Sequence, residues 1–355
     1  MRDHVRTVIG LGLAVGLMAL FLRNADFASV WSEIRSARFD LVCGSLLAIA
    51  LSYAFRVRRW QQLLGPIGQV GFLAAWRATA IGFATTAVLP GRLGEVLRPY
   101  LLARGEQLSA SAVFATIVLE RLLDLIVVVT LLGVFLLFFS GTVRAVDWPA
   151  LNALRGVGLV AAAVAAASLA LIVFAARAPE RLRDVMGRVA GVLPVGVAGS
   201  AGRFFAKFSA GLGVAREPGR LLVALSWSLP VWLSVALSAW CVCHAFDIPL
   251  SLSGSLLVMV LMVFGVAVPT PAGVGGFHAG FQAGVIGLYD APVDAAVGAA
   301  LVTHALSFGP ITVVGIVLML RTGLTLKGAA TLAVDGTQMG DQEDLGPERR
   351  TGEGE

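Results

Sequence analysis

Stretches of about twenty apolar residues recur along this chain, and a backbone lying in hydrocarbon must satisfy its own hydrogen bonds, which leaves helices as the main solution. The runs fall at about 5–22, 41–59, 109–139, 156–176, 221–246 and 293–320. Two more, at about 70–105 and 253–290, are broken in the middle by Pro and Gly and read as re-entrant hairpins. Hydrophobic residues make up 57% of the 355 positions and charged ones only 14%, too apolar a balance for one soluble core. The expected fold is an all-α polytopic membrane protein with about six full spans plus two re-entrant broken-helix hairpins.

Orientation follows from the arginines. Between 177 and 220 lie Arg177, Arg181, Arg183, Arg188, Arg203, Lys207, Arg216 and Arg220 against Glu180, Asp184 and Glu217, so this linker is placed in the cytoplasm. Arg56, Arg58, Arg59, Arg321 and Lys327 share that side only if each hairpin enters and leaves on one face and both termini are cytoplasmic. The weakly charged loops 23–40 and 140–155 then lie outside. Leu182, Val185, Met186, Val189 and Leu193 space the linker as a helix on an anionic lipid surface would, and a solvated connector fits equally. The N-terminal basic residues before the first apolar run, with no small-residue cleavage site, read as a retained signal anchor in the cell membrane. Residues 1–327 form the membrane portion, and 328–355 form an acidic tail expected to be disordered.

The two interrupted stretches resemble each other. Val88-Leu89-Pro90-Gly91-Arg92-Leu93-Gly94 reads against Pro269-Thr270-Pro271-Ala272-Gly273-Val274-Gly275, and Glu120-Arg121 and Thr303-His304 follow in the next long helix. Span, hairpin and span thus occur twice, at about 41–139 and 221–320, and the orientation makes the second copy inverted. Many transporters build a midplane site between such repeats.

Ionisable side chains are costly in a bilayer, so their positions carry most of the functional information. Arg92 lies in the first hairpin tip, and Glu95 and Arg98 follow on the returning helix, where Pro99 signals strain or an end nearby. Glu120 and Asp124 are one turn apart in the next helix, with Arg121 beside them. Two readings stay open: Arg92, Arg98 and Arg121 neutralise Glu95, Glu120 and Asp124 as a structural lock, or part of that positive charge is offered to a phosphate head group. In the second hairpin Gly273 and Gly275 free backbone N–H groups, while His278 and Gln282, one turn apart, could face a cavity. His304 sits in mid-span and could titrate near neutrality.

No nucleophile elbow, Walker loop, HExxH or CxxC motif occurs, so no enzymatic activity, cofactor or metal is expected. The basic balance implies membrane orientation, with no nucleic-acid partner.

LPGRLGEVLRPYLLAR, ATIVLERLLDLIVV and PTPAGVGGFHAG, with the final long span, resemble the transmembrane region of lysylphosphatidylglycerol synthases and their free-standing flippase-like relatives, over about residues 5–325. The resemblance implies movement of a modified phospholipid or lipid-linked glycan across the membrane. It implicates Arg92, Glu95, Arg98, Glu120, Arg121 and Asp124 together with the stretch from Pro271 to Gly275. This chain carries His278 where relatives often have Glu, and His304 where they often have Arg. A soluble synthase domain is expected to be absent, so the resemblance implies translocation without synthesis. The alternative is a non-transporting scaffold for a glycosyltransferase or lipid-modifying enzyme.

Overall fold

The computed structural model describes residues 2–89, 92–139, 149–177, 212–268, 270–325, 328–329 and 331–332. Eleven α-helices occur among them: α1 (Arg2–Leu22), α2 (Phe27–Ser36), α3 (Phe39–Leu64), α4 (Phe72–Val88), α5 (Gly94–Gly105), α6 (Ala110–Val134), α7 (Pro149–Arg177), α8 (Pro218–Ala245), α9 (Leu252–Ala267), α10 (Gly276–Tyr289) and α11 (Val293–Arg321). A π-helical turn, Phe135–Phe139, extends α6. Pro90, Gly91 and Pro269, most of the linker and nearly all of the acidic tail lie outside the described residues.

Among the described residues, four helices are long and apolar enough to cross a membrane: α3, α6 with its extension, α8 and α11. A fifth crossing arises if α1 and α2, which meet at an 82° bend, are one broken span. The six expected full spans are therefore matched only in part among the described residues; the expected run at 156–176 lies within the 29-residue helix α7. The stretch 23–40, expected as a loop, contains α2. Asp26 caps it by accepting from the Ala28 N–H at 3.1 Å and the Ser29 hydroxyl at 2.9 Å, and Val30 turns into the core while Phe27 and Trp31 stay exposed.

Both interrupted stretches are helix pairs, α4 with α5 and α9 with α10, packed arm against arm. Glycine makes each crossing. A Cβ on Gly94 would stand 1.9 Å from the Gly82 carbonyl oxygen, and one on Gly276 would stand 2.2 Å from that of Gly265. Of the two outcomes expected at Pro99, strain or an end nearby, the helix does not end there: α5 runs on to Gly105. Pro99 is an interior residue of this helix, which therefore forgoes the hydrogen bond a backbone N–H there would make to the Glu95 carbonyl.

The two halves contact each other in matching ways. Helices α3 and α8 pack antiparallel along their length: the Arg38 N–H reaches the Ala245 carbonyl at 3.0 Å, the Ser45 and Ser238 hydroxyls meet at 2.7 Å, and Arg59 reaches Ser228 at 3.0 Å. Helix α4 of the first hairpin lies on α11, where a Cβ on Gly315 would stand 2.2 Å from the Ala80 carbonyl oxygen. Helix α9 of the second hairpin lies correspondingly on α6 and its extension. This arrangement brings Arg92 of the first hairpin tip together with Val266, Thr270, Ala272 and Gly273 of the second.

Candidate functional site

An α-helix brings positions four apart onto one face, so Glu120 and Asp124 of α6 point the same way. That face is turned into the bundle: Glu120 is 1% exposed, and Asp124 is also buried. Charges in such a place need partners, and three neighbouring helices supply them. From α3, Arg59 is fully buried, with Nη1 donating to Asp124 Oδ1 at 2.5 Å and to Ser228 Oγ at 3.0 Å, and with Nη2 3.1 Å from Glu120 Oε1. From α5, Arg98 Nη1 donates to the same Glu120 oxygen at 3.1 Å. From α8, the Trp232 indole N–H donates to Asp124 Oδ1 at 2.9 Å. Aromatic faces receive two of the guanidinium groups: Arg98 lies 3.8 Å over the Trp60 ring and Arg56 lies 5.0 Å over Trp232. Trp60 is held in turn by its N–H to Thr116 Oγ1 at 2.9 Å.

A second tier faces outward. Arg121 and Arg92, with side chains 45% and 39% exposed, share Glu95 at 3.4 Å and 4.0 Å. Arg121 also reaches back to Asp124 Oδ2 at 3.9 Å, joining the tiers. Arg92 adopts φ +55°, a left-handed conformation unusual for a residue with a side chain, and its Nη2 donates across to the Val266 carbonyl at the end of α9. The first hairpin tip is thereby tied to the second.

Between the tips opens a small cleft. Arg92, Glu95, Arg98 and Arg121 line one side of it, and Thr270 and Gly273 line the other. Helix α5 begins at the first tip and its first residue, Gly94, lines the cleft, so its N-terminal, positive end lies here.

The structure thus brings Arg92, Glu95, Arg98, Arg121 and Gly273 together at the cleft and sets Glu120 and Asp124 directly behind it. His278 and Gly275 are placed elsewhere. The His278 ring is buried against Phe21, Phe277 and His304, with 4.5 Å between the two histidine centroids, and its Nδ1 accepts the Gly275 N–H at 3.3 Å. Gly275, at φ +85°, packs on Leu17 of α1. His304 Nε2 bonds the Ala272 carbonyl at 3.0 Å, so this pair braces the second tip.

Arg56, Arg58 and Arg59 were expected only as charges on the cytoplasmic side; Arg56 and Arg59 are buried in the network, and Arg58 is exposed. Their spacing held the signal, because Ser52, Tyr53, Arg56, Arg59, Trp60 and Leu63 share the buried face of α3. Adding them changes the charge balance. Five arginines (56, 59, 92, 98 and 121) stand in one connected set with three carboxylates (95, 120 and 124), so the set carries two positive charges in excess where equal numbers were expected.

Comparison with known proteins places this geometry in context. Residues 7–315 match the family described as the lysylphosphatidylglycerol synthase TM region. A stretch of 142 residues, 39% of this chain, is 29% identical to the glycosyltransferase AglD of Haloferax volcanii and covers 22% of that protein. The chain thus spans well under two thirds of the length of this curated relative.

Proposed function

Because the chain belongs to the lysylphosphatidylglycerol synthase transmembrane-region family, we propose that it translocates a lipid with an anionic head group, phospholipid or lipid-linked glycan, across the cytoplasmic membrane. The observation that carries this reading is the excess of two positive charges at a cleft between two hairpin tips, with Arg92 and Arg121 exposed to it. A network serving only as a lock gains nothing from surplus charge in a low-dielectric setting. The succession α3–α6 and its counterpart α8–α11, with α3 and α8 antiparallel, supports an inverted repeat of the kind whose halves rock about a fixed site. In this reading both termini are cytoplasmic and the chain itself makes and breaks no covalent bonds.

The match to part of a protein named a glycosyltransferase favours a second reading, in which the chain is a non-transporting partner of a glycosyltransferase or lipid-modifying enzyme. Reconstitution separates the two. Purified protein in liposomes bearing fluorescent lipids of several head groups should move at least one anionic class well above the protein-free rate, and Arg92→Gln or Arg121→Gln should abolish the difference. Protein-free rates for every class would refute translocation and leave the partner reading.

A further inference from the structure

Charge and oxygen count at the cleft bear on which anionic head group fits, given the lipid-handling reading above. Three observations converge. First, the connected set of five arginines and three carboxylates is two charges short of neutrality. Second, Arg98 lines the cleft at 4% exposure, and its Nε and Nη2 have no hydrogen-bond partner, so its charge is only partly met by Glu120. Third, the donors approach from separate elements: Arg92 from the tip, Arg121 from α6, and the first turn of α5 at Gly94, which also lines the cleft.

We propose that the ligand is a lipid ending in a phosphate monoester, doubly charged, rather than a phosphodiester lipid. A diester presents one negative charge and two free phosphate oxygens, and leaves one arginine charge uncompensated where water is scarce. A monoester presents close to two charges near neutral pH and three terminal oxygens, which matches both the excess charge and the number of directions from which donors come. It also has no second ester substituent to accommodate between the tips.

The test is binding by the purified full-length chain in detergent, followed by tryptophan fluorescence, because Trp60 and Trp232 border the network. The probes are short-chain phosphatidic acid, phosphatidylglycerol with the same acyl chains, and inorganic phosphate, at about pH 8, where the monoester is doubly charged. Phosphatidic acid should bind at least tenfold tighter than phosphatidylglycerol. Arg121→Gln, which reduces the excess to one charge, should shrink that ratio toward unity, and Glu95→Gln, which raises the excess to three, should preserve or widen it. Equal affinities for the two lipids in the unmodified protein would overturn the proposal, as would a ratio indifferent to both substitutions. Inorganic phosphate binding as tightly as phosphatidic acid would reassign the cleft to the free ion and also overturn it. The outcome is separable from the translocation reading: a tenfold preference without lipid flux removes translocation alone, and flux without preference removes the monoester alone.

Discussion

The pairing of Asp124 decides which arginines hold the fold and which are available to a ligand. Asp124 is bound by Arg59 at 2.5 Å and by the Trp232 N–H at 2.9 Å, whereas Arg121 stands 3.9 Å away with nearly half its side chain exposed. Breaking the buried pair by Asp124→Asn leaves Arg56, Arg59 and Arg98 facing one carboxylate, Glu120. A loss of this kind costs on the order of 3–5 kcal/mol, since the remaining charge is neither paired nor hydrated. Arg59→Gln should cost a similar amount, and the double variant Arg59→Gln with Asp124→Asn should cost less than the sum by about 3 kcal/mol. The same cycle on Arg121 and Asp124 should return a coupling below about 1 kcal/mol, as for exposed ion pairs. Unfolding in mixed micelles titrated with dodecyl sulfate, read by tryptophan fluorescence, measures both cycles. Equal couplings in the two cycles would refute the division into a buried lock and an available tier.

Further expectations concern packing, topology and the exposed arginines. Gly94→Ala and Gly276→Ala drive a methyl group into backbone and should each destabilise by about 1–3 kcal/mol or more, while Gly133→Ala, with open space around it, should be neutral or mildly stabilising in thermal unfolding. Trp60→Phe keeps a ring beneath Arg98 but loses the bond to Thr116, so it should cost about 1 kcal/mol in the same assay. In a cysteine-free background, single cysteines at Arg58 and Arg216 should label only after cells are permeabilised, and those at Ser36 and Ser251 in intact cells; the reverse pattern would invert the proposed topology. Arg92→Lys and Arg121→Lys keep the charge and lose the planar fork, so lipid flux should fall several-fold with melting temperature unchanged; a parallel loss of stability would assign these arginines to the lock.

How much of this was legible in sequence depends on the signal each residue leaves. Pro and Gly at 90–94 and 271–276 mark the breaks between α4 and α5 and between α9 and α10 without ambiguity, because no helix continues easily through them. Glu120 and Asp124 were legible as one face because helical spacing is a local property. Their partners were not local. Arg98 lies three positions from Glu95 yet bonds Glu120, since the turn of α5 that offers Glu95 to the cleft presents Arg98 to α6. Arg59 was hidden by its company: beside Arg56 and Arg58, at the end of an apolar run, it reads simply as a charge on the cytoplasmic side. Only the alternation of buried and exposed positions along α3 separates Arg59 from Arg58. His278 was misplaced for a different reason, because ring stacking with His304 depends on where α10 meets α11, and that crossing leaves no trace in spacing.

The distribution of contacts bears on how translocation would work. The strongest interactions, among Arg59, Arg98, Glu120, Asp124 and Trp232, join α3, α5, α6 and α8. Among the described residues the polar ties across the two tips are fewer: Arg92 to the Val266 carbonyl, with His304 bonding Ala272 to brace the second tip from α11. A hydrogen bond from a charged donor to a carbonyl contributes about 1.5–3 kcal/mol, so separating the tips costs far less than separating the buried ion pairs. An opening of that size leaves a minor state populated enough for a ligand to select. A phosphate arriving at Arg92 competes with Val266 for the same N–H groups. Under the translocation proposal, binding would weaken the tie that keeps the tips together and leave the lock behind it intact, coupling occupancy of the cleft to its opening.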